Sequence, residues 1–159
     1  MGWYKTPERE KFALFSAPVS KDASRVGVAH AKFQVAPNAT VNSVLANPNA
    51  SVLMKKGFVY GAFWDDKFAS MKSKRVLVTD DTSQLLLLLA LGRADITFMP
   101  LEEIQYYLST GLVKSDEINI VKFPDVPDGY ARHLICSKAV DPKLIKAFDD
   151  ALPSGSAKQ

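Results

Sequence analysis

The sequence predicts an α/β protein built on a mostly parallel sheet, and three observations carry that reading. From about residue 51 to residue 111, short β-prone apolar runs alternate with segments of helical spacing. The joints between them hold capping and stop residues. The composition, 47% hydrophobic and 23% charged over 159 residues, is that of one globular domain of ~100 to 200 residues. Alternating strands and helices predict βαβ units, hence parallel strands with helices on both faces of the sheet.

Taken in order, "TPEREKFALF" opens a helix, with Thr6 as N-cap, Pro7 at the first helical position and Glu8 and Glu10 where the macrodipole favours acids. Ser16, Ala17 and Pro18 are expected to end it. Arg25 to Phe33 is β-prone, and the Asn- and Pro-rich stretch after it predicts a loop with a short helix. "SVLM", Ser51 to Met54, reads as a buried strand. Phe63, Trp64, Phe68 and Met71 recur at helical spacing, and "RVLV" from Arg75 is the next strand. "TDDTSQ" supplies N-cap candidates for a helix through Leu91, with Gly92 as its stop. "DITFM" is a strand, "PLEEIQYYLSTG" a helix ending at Gly111, "EINIVKF" and "ARHLICS" two further strands. Asp141 and Pro142 open a last helix to about Leu152, and "PSGSAKQ" reads as a flexible tail.

Five consecutive leucines, Leu85 to Leu89, raise the question of a membrane span. The apolar run from Leu85 to Leu91 is only seven residues, bounded by Gln84 and Gly92, whereas a span needs ~20. A core helix between the sheet and another layer explains it.

The 20 basic and 17 acidic residues, formal net charge +3, are scattered and form no basic stripe, which argues against a nucleic-acid partner. Cys136 is the single cysteine, so no disulfide or CxxC pair exists; His30 and His133 are too far apart in sequence to argue a metal pair, and Cys136 with His133 makes at most a two-ligand cluster, short of a structural zinc site. No metal or cofactor is expected. Neither a serine elbow, HExxH, a phosphate-cradling glycine loop nor a Cys/His/Asn pattern occurs, so no catalytic residue is assigned. Charges near the N-terminus stand where a signal peptide carries its apolar core, so no secretion signal is expected in this chain.

Three stretches together resemble one family. They are "TPEREKFALFSAPV", "LLLLLALGRADITFMP" and "ARHLICSKAVDPKLIKAFDDAL". In this order and spacing they resemble the bacterial extracellular solute-binding proteins of the amino-acid-binding type, family 3, with the two-lobed type II periplasmic-binding-protein-like fold. The resemblance covers nearly the whole sequence, but only part of the family's usual length, since most of the first lobe would precede "TPER". It implies one complete three-layer α/β lobe at 34–129, hinge strands at 23–33 and 130–138, and a partial first lobe from 1–22 and 139–159. A first lobe lacking its partners leads us to expect a homo-oligomer or swapped dimer.

The resemblance also implies function: an ABC-transporter-type binding component or related sensor, periplasmic, holding a small polar, carboxylate-bearing solute in an inter-lobe cleft and serving a membrane permease. Arg9 matches the family's carboxylate-gripping arginine, and a guanidinium fork suits a planar carboxylate; the plain alternative is a surface arginine beside Glu8 and Glu10. Tyr4 and Thr6 fall in the segment that lines the cleft, with core packing as the alternative for Tyr4. Phe58 and Tyr60 occupy the loop where backbone N–H groups meet the ligand, although they depart from the family's small hydroxyl residues, and a turn with packed aromatics remains open. Pro100 stands where amino-acid binders carry an acid for the ligand's ammonium. Glu102 is the candidate substitute, though acids in a first helical turn also answer the dipole alone. Arg93 and Asp95 are assigned a structural role in the "GRAD" turn. Competing readings are a periplasmic cyclohexadienyl dehydratase-like enzyme relying on Glu102 or Glu103, an effector-sensing domain of a regulator, and a truncated lobe acting as an oligomerising module.

Overall fold

The computed structural model describes residues 2–79 and 81–153, so most of the expected tail lies outside the described residues. The chain divides into two units, 24–127 and the pair of segments 1–23 with 128–159.

The 24–127 unit is built on a five-stranded sheet. In chain order it holds β2 (Arg25–His30), α2 (Val41–Leu45), β3 (Ser51–Lys55), α3 (Ala62–Ala69), β4 (Lys74–Val78), α4 (Thr82–Ala90), β5 (Ile96–Pro100), α5 (Leu101–Ser109) and β6 (Ile118–Val121). The strand order is β4-β3-β5-β2-β6. β3 runs parallel to β4 and β5, while β2 is antiparallel to both β5 and β6. Four strands therefore point one way and β2 alone is reversed, a mixed sheet where the alternation suggested parallel pairs. The difference arises because β2 enters directly, without a crossover helix, and fills the gap between β5 and β6.

Period-two alternation divides the core into two layers. Val26, Val28, Leu53 and Met99 face Leu85, Leu86 and Leu89 of α4 and Ile104 of α5. The other face is aromatic: Trp64 and Phe68 of α3 lie with Phe98, ring centroids 4.8 and 5.7 Å away, and Phe98 reaches Phe123 at 5.9 Å. Gly27 makes room there, because a Cβ on it would stand 2.7 Å from the Phe123 ring. The leucine run is thus a core helix, and no helix among the described residues is long and apolar enough to cross a membrane.

Helix ends follow their sequence signals. The Asp81 carboxylate accepts the Gln84 N–H at 3.0 Å, and Thr40 with Ser43 forms a reciprocal capping box on α2. At the end of α4, Gly92 has φ +71 and its N–H donates to Leu89 O, while the Arg93 N–H reaches back to Leu88 O. Gly111 repeats the arrangement after α5: its N–H donates to Leu108 O, and the Leu112 N–H to Tyr107 O. Both are Schellman closures, which favour glycine at the left-handed position.

The other unit contains α1 (Pro7–Glu10), β1 (Ala13–Lys21), β7 (Ala131–Ser137) and α6 (Pro142–Ala151). β1 and β7 form an antiparallel ribbon, with Ala13 opposite Ser137 and Lys21 opposite Ala131. The helix expected to run toward Ser16 stops instead at Glu10. Residues 13–21 are captured by pairing with β7, a tertiary contact that local helix signals cannot register. Pro18 fits because it sits where the pairing register shifts, on a strand paired along one edge. α6 is anchored by the Asp149 carboxylate, which accepts the Ala17 N–H at 2.8 Å.

Candidate functional site

In an open α/β sheet, ligands gather outside the carboxyl ends of the strands where the order of connections reverses. Here β3 leads outward through α3 to β4, and β4 returns through α4 to β5, on the other side of β3. The reversal lies between β3 and β5. Lys55 and the loop through Tyr60 stand at the end of one strand, and Pro100 at the end of the other. β2 runs in the opposite sense, so its first residue, Arg25, is paired in register with Pro100.

The side chains at this end are cationic and aromatic. Arg25 is 8% exposed, and its guanidinium carbon lies 5.3 Å from the Tyr60 ring centroid and 5.9 Å from that of Phe58. Lys55 Nζ is 5.9 Å from the Phe58 centroid and donates to Thr82 Oγ1 at 2.6 Å. Phe58 and Tyr60 meet edge to face at 4.9 Å. Tyr60 is buried and Phe58 is about half exposed. The Tyr60 hydroxyl accepts the Lys55 N–H at 2.9 Å, and burial pushes its pKa up from the ordinary 10.0. The backbone N–H groups of Tyr60 and Gly61, at the start of α3, are already taken by the Asp65 carboxylate at 3.1 and 3.2 Å. The two donors just before α3 are therefore occupied, while the first turn of the helix itself has no side-chain cap.

In the 1–23 and 128–159 unit, Thr6 caps α1 by accepting the Arg9 N–H at 3.3 Å, and Arg9 Nη1 donates to Tyr4 O at 2.9 Å. The Arg9 guanidinium lies 5.2 Å from the Trp3 ring centroid. Arg132 forms a bidentate pair with Asp22, at 2.6 and 2.8 Å, and covers the Tyr4 ring at 3.7 Å. The Tyr4 hydroxyl donates to the same Asp22 carboxylate. Gly129 passes the Asp22 carbonyl so closely that a Cβ there would overlap it.

No family model matches the sequence, and no curated protein matches it. Solved structures do. A structure from work on glutathione import through GshT and the cystine ABC importer TcyBC of Streptococcus mutans aligns at TM-score 0.66 and 15% identity, over 92% of this chain and 58% of that one. An ancestral arginine-binding protein bound to arginine aligns at TM-score 0.64 and 17% identity, over 93% and 60%. The periplasmic VFT2 domain of Bordetella pertussis BvgS aligns at 0.63 and 19%, over 95% and 59%.

The chain has the type II periplasmic-binding-protein-like fold.

It spans about 58 to 60% of the length of these binding-protein structures. Within the binding-protein fold, the residues singled out in the sequence fall into separate groups. Tyr4, Thr6 and Arg9 stand together on the α1 segment, bonded to one another. Phe58 and Tyr60 stand together at the strand ends of the 24–127 unit. Glu102 is an exposed residue of the first turn of α5 and makes no ion pair among the described residues. Asp95 proves to be a strap between strands, its Oδ2 accepting the Ser51 N–H and hydroxyl at 2.7 and 2.6 Å. His133 is bonded through Nδ1 to Ser16 O at 2.8 Å.

Two residues at this end, Arg25 and Lys55, are not among the binding candidates the sequence points to. A signal for Arg25 is present: it is the charged first position of "RVGVAH", a strand whose next four residues are buried. Charge at the edge of such a run is rare without a partner.

Proposed function

We propose that this chain is a solute-binding protein, or the binding portion of one, that takes a small polar, carboxylate-bearing solute. The observation that carries the reading is the collection of cationic and aromatic side chains at the reversal point of a binding-protein sheet. The matched structures include substrate-binding proteins of amino-acid ABC transporters, which supports a transport or sensing role that delivers solute to a membrane permease outside the cytoplasm. In this reading the two units correspond to portions of the two lobes, with Arg9 gripping a carboxylate and Tyr4 and Thr6 shaping its surroundings. Arg9 uses one donor on Tyr4 O, and its fork retains others. Binding rather than catalysis is favoured because Glu102, one of the two acids a dehydratase-like reading relies on, is exposed on α5 and, among the described residues, bonded to nothing that would orient it.

A thermal-shift screen of the full chain against amino acids, organic acids and amines tests the proposal. A ligand of the folded state raises stability by about 2.7 kcal/mol at a concentration one hundred times its Kd. The expected result is a saturable rise with one chemical class. A flat response to every class at millimolar concentration would overturn the receptor role for this chain.

Self-association is the second part of the reading. The 1–23 and 128–159 unit exposes Trp3, Phe12, Leu134, Leu144 and Phe148, and a two-stranded ribbon is at best marginally stable alone. A second copy of the chain covering these residues gives a dimer in light scattering. A monodisperse monomer would exclude it.

A further inference from the structure

We propose that Arg25, flanked by Phe58 and Tyr60, is an anion-accepting residue of the 24–127 unit that selects a solute with a carboxylate and no ammonium group. The inference rests on the solute-binding reading and names the substrate class.

Arg25 is more than nine-tenths buried, yet among the described residues its guanidinium makes neither a hydrogen bond nor an ion pair. A buried cation without a partner is costly. The two aromatic faces return only part of that, since a cation over an aromatic ring gains about 0.5–2 kcal/mol. Asp65, the acid beside Tyr60, is engaged with the Tyr60 and Gly61 N–H groups and makes no ion pair with Arg25 among the described residues.

The guanidinium nevertheless reaches solvent. No buried side-chain nitrogen or oxygen among the described residues lacks a hydrogen-bond partner. Because the Arg25 nitrogens donate to nothing, they must retain an opening through which an outside acceptor can approach. Phe58, about half exposed, provides an apolar wall at that opening, and Lys55 adds a second cation near the same ring. A guanidinium edge meets a planar carboxylate through two parallel N–H···O bonds, and the apolar Phe58 wall suits the carbon skeleton of an organic anion better than a bare inorganic one.

The local charge balance also opposes an ammonium group. The residue in register with Arg25 is Pro100, which brings neither a side-chain acceptor nor a backbone N–H. A cation placed there would meet Arg25 and Lys55, and the position in register with Arg25 supplies no acid to offset them. A small dicarboxylate meets no such repulsion.

The test uses the full chain, with succinate as probe and inorganic phosphate and ethylenediammonium as comparators. Binding is followed by calorimetry and by the Arg25 side-chain Nε–H resonance. Succinate is expected to bind saturably and move that resonance, and Arg25→Met to weaken its affinity by at least about tenfold, the equivalent of one decade in Kd. The same substitution should leave the melting temperature unchanged or raise it, since it removes an unpaired buried charge. A lowered melting temperature with unchanged succinate affinity would mean that Arg25 only packs, and would overturn the proposal. Phosphate binding as tightly as succinate, or preference for ethylenediammonium, would overturn the carboxylate class. If succinate and phosphate both fail while an amine or amino acid binds, the solute-binding reading stands and this inference falls; if no compound binds, both fall.

Discussion

Replacing Trp64 with alanine lowers the stability of the 24–127 unit by about 3–5 kcal/mol, the range for deleting a fully buried large aromatic. Trp64 is 1% exposed and joins α3 to the sheet. Its ring lies 4.8 Å from Phe98 and 5.8 Å from Phe68, so truncation opens a cavity whose walls are other rings held by their own contacts. Collapse is hindered by Tyr60, whose hydroxyl is tied to the Lys55 N–H. The cost should therefore lie toward the upper part of that range. Urea unfolding followed by circular dichroism measures it, with Leu91→Ala as a control, because Leu91 is 72% exposed. A loss under about 1 kcal/mol would show that the aromatic layer is loosely packed.

Asp95→Ala is expected to cost about 2–3 kcal/mol, since each hydrogen bond to a charged acceptor contributes about 1.5–3 kcal/mol and partial exposure lets water replace some of it. The carboxylate receives two donors from Ser51, and the Asp95 N–H returns a bond to Ser51 O at 3.0 Å. These three bonds hold the start of β3 to the start of β5, where the only other register pairing of the two strands is Val52 with Ile96. Asp95→Asn keeps an acceptor and should lose about half as much. The same denaturation experiment decides it. A value within about 0.5 kcal/mol of the parent would remove Asp95 from the strap role.

Much of the secondary structure is legible because its signals are local. Asp81 before the leucines, Gly92 and Gly111 after their helices, and Pro142 at the start of α6 act through their immediate backbone. The short apolar runs "SVLM" and "DITFM" are legible for the same reason. Ala13 to Lys21 reads as a helix continuing from "TPER" and is a strand, because its structure depends on residues more than one hundred positions away. The reversed direction of β2 is equally hidden, since apolar alternation says which face a residue takes and nothing about strand sense.

The candidate site shows the same division. Thr6, Arg9, Phe58 and Tyr60 stand out because the segments that hold them resemble the cleft-lining segments of the solute-binding family. Arg25 does not, because its significance comes from lying opposite Pro100 and beneath two rings from a loop thirty or more residues away.

By itself, the sequence determined the α/β class, the caps, the buried leucine helix and the poverty of catalytic motifs, all of which follow from short-range periodicity and side-chain type. Only the tertiary structure decided the strand order, the capture of residues 13–21 into a ribbon and the position at the sheet's reversal point of a guanidinium that is unpaired among the described residues. Those depend on which distant residues the chain brings together, and burial without a partner is a property of surroundings that no single segment carries.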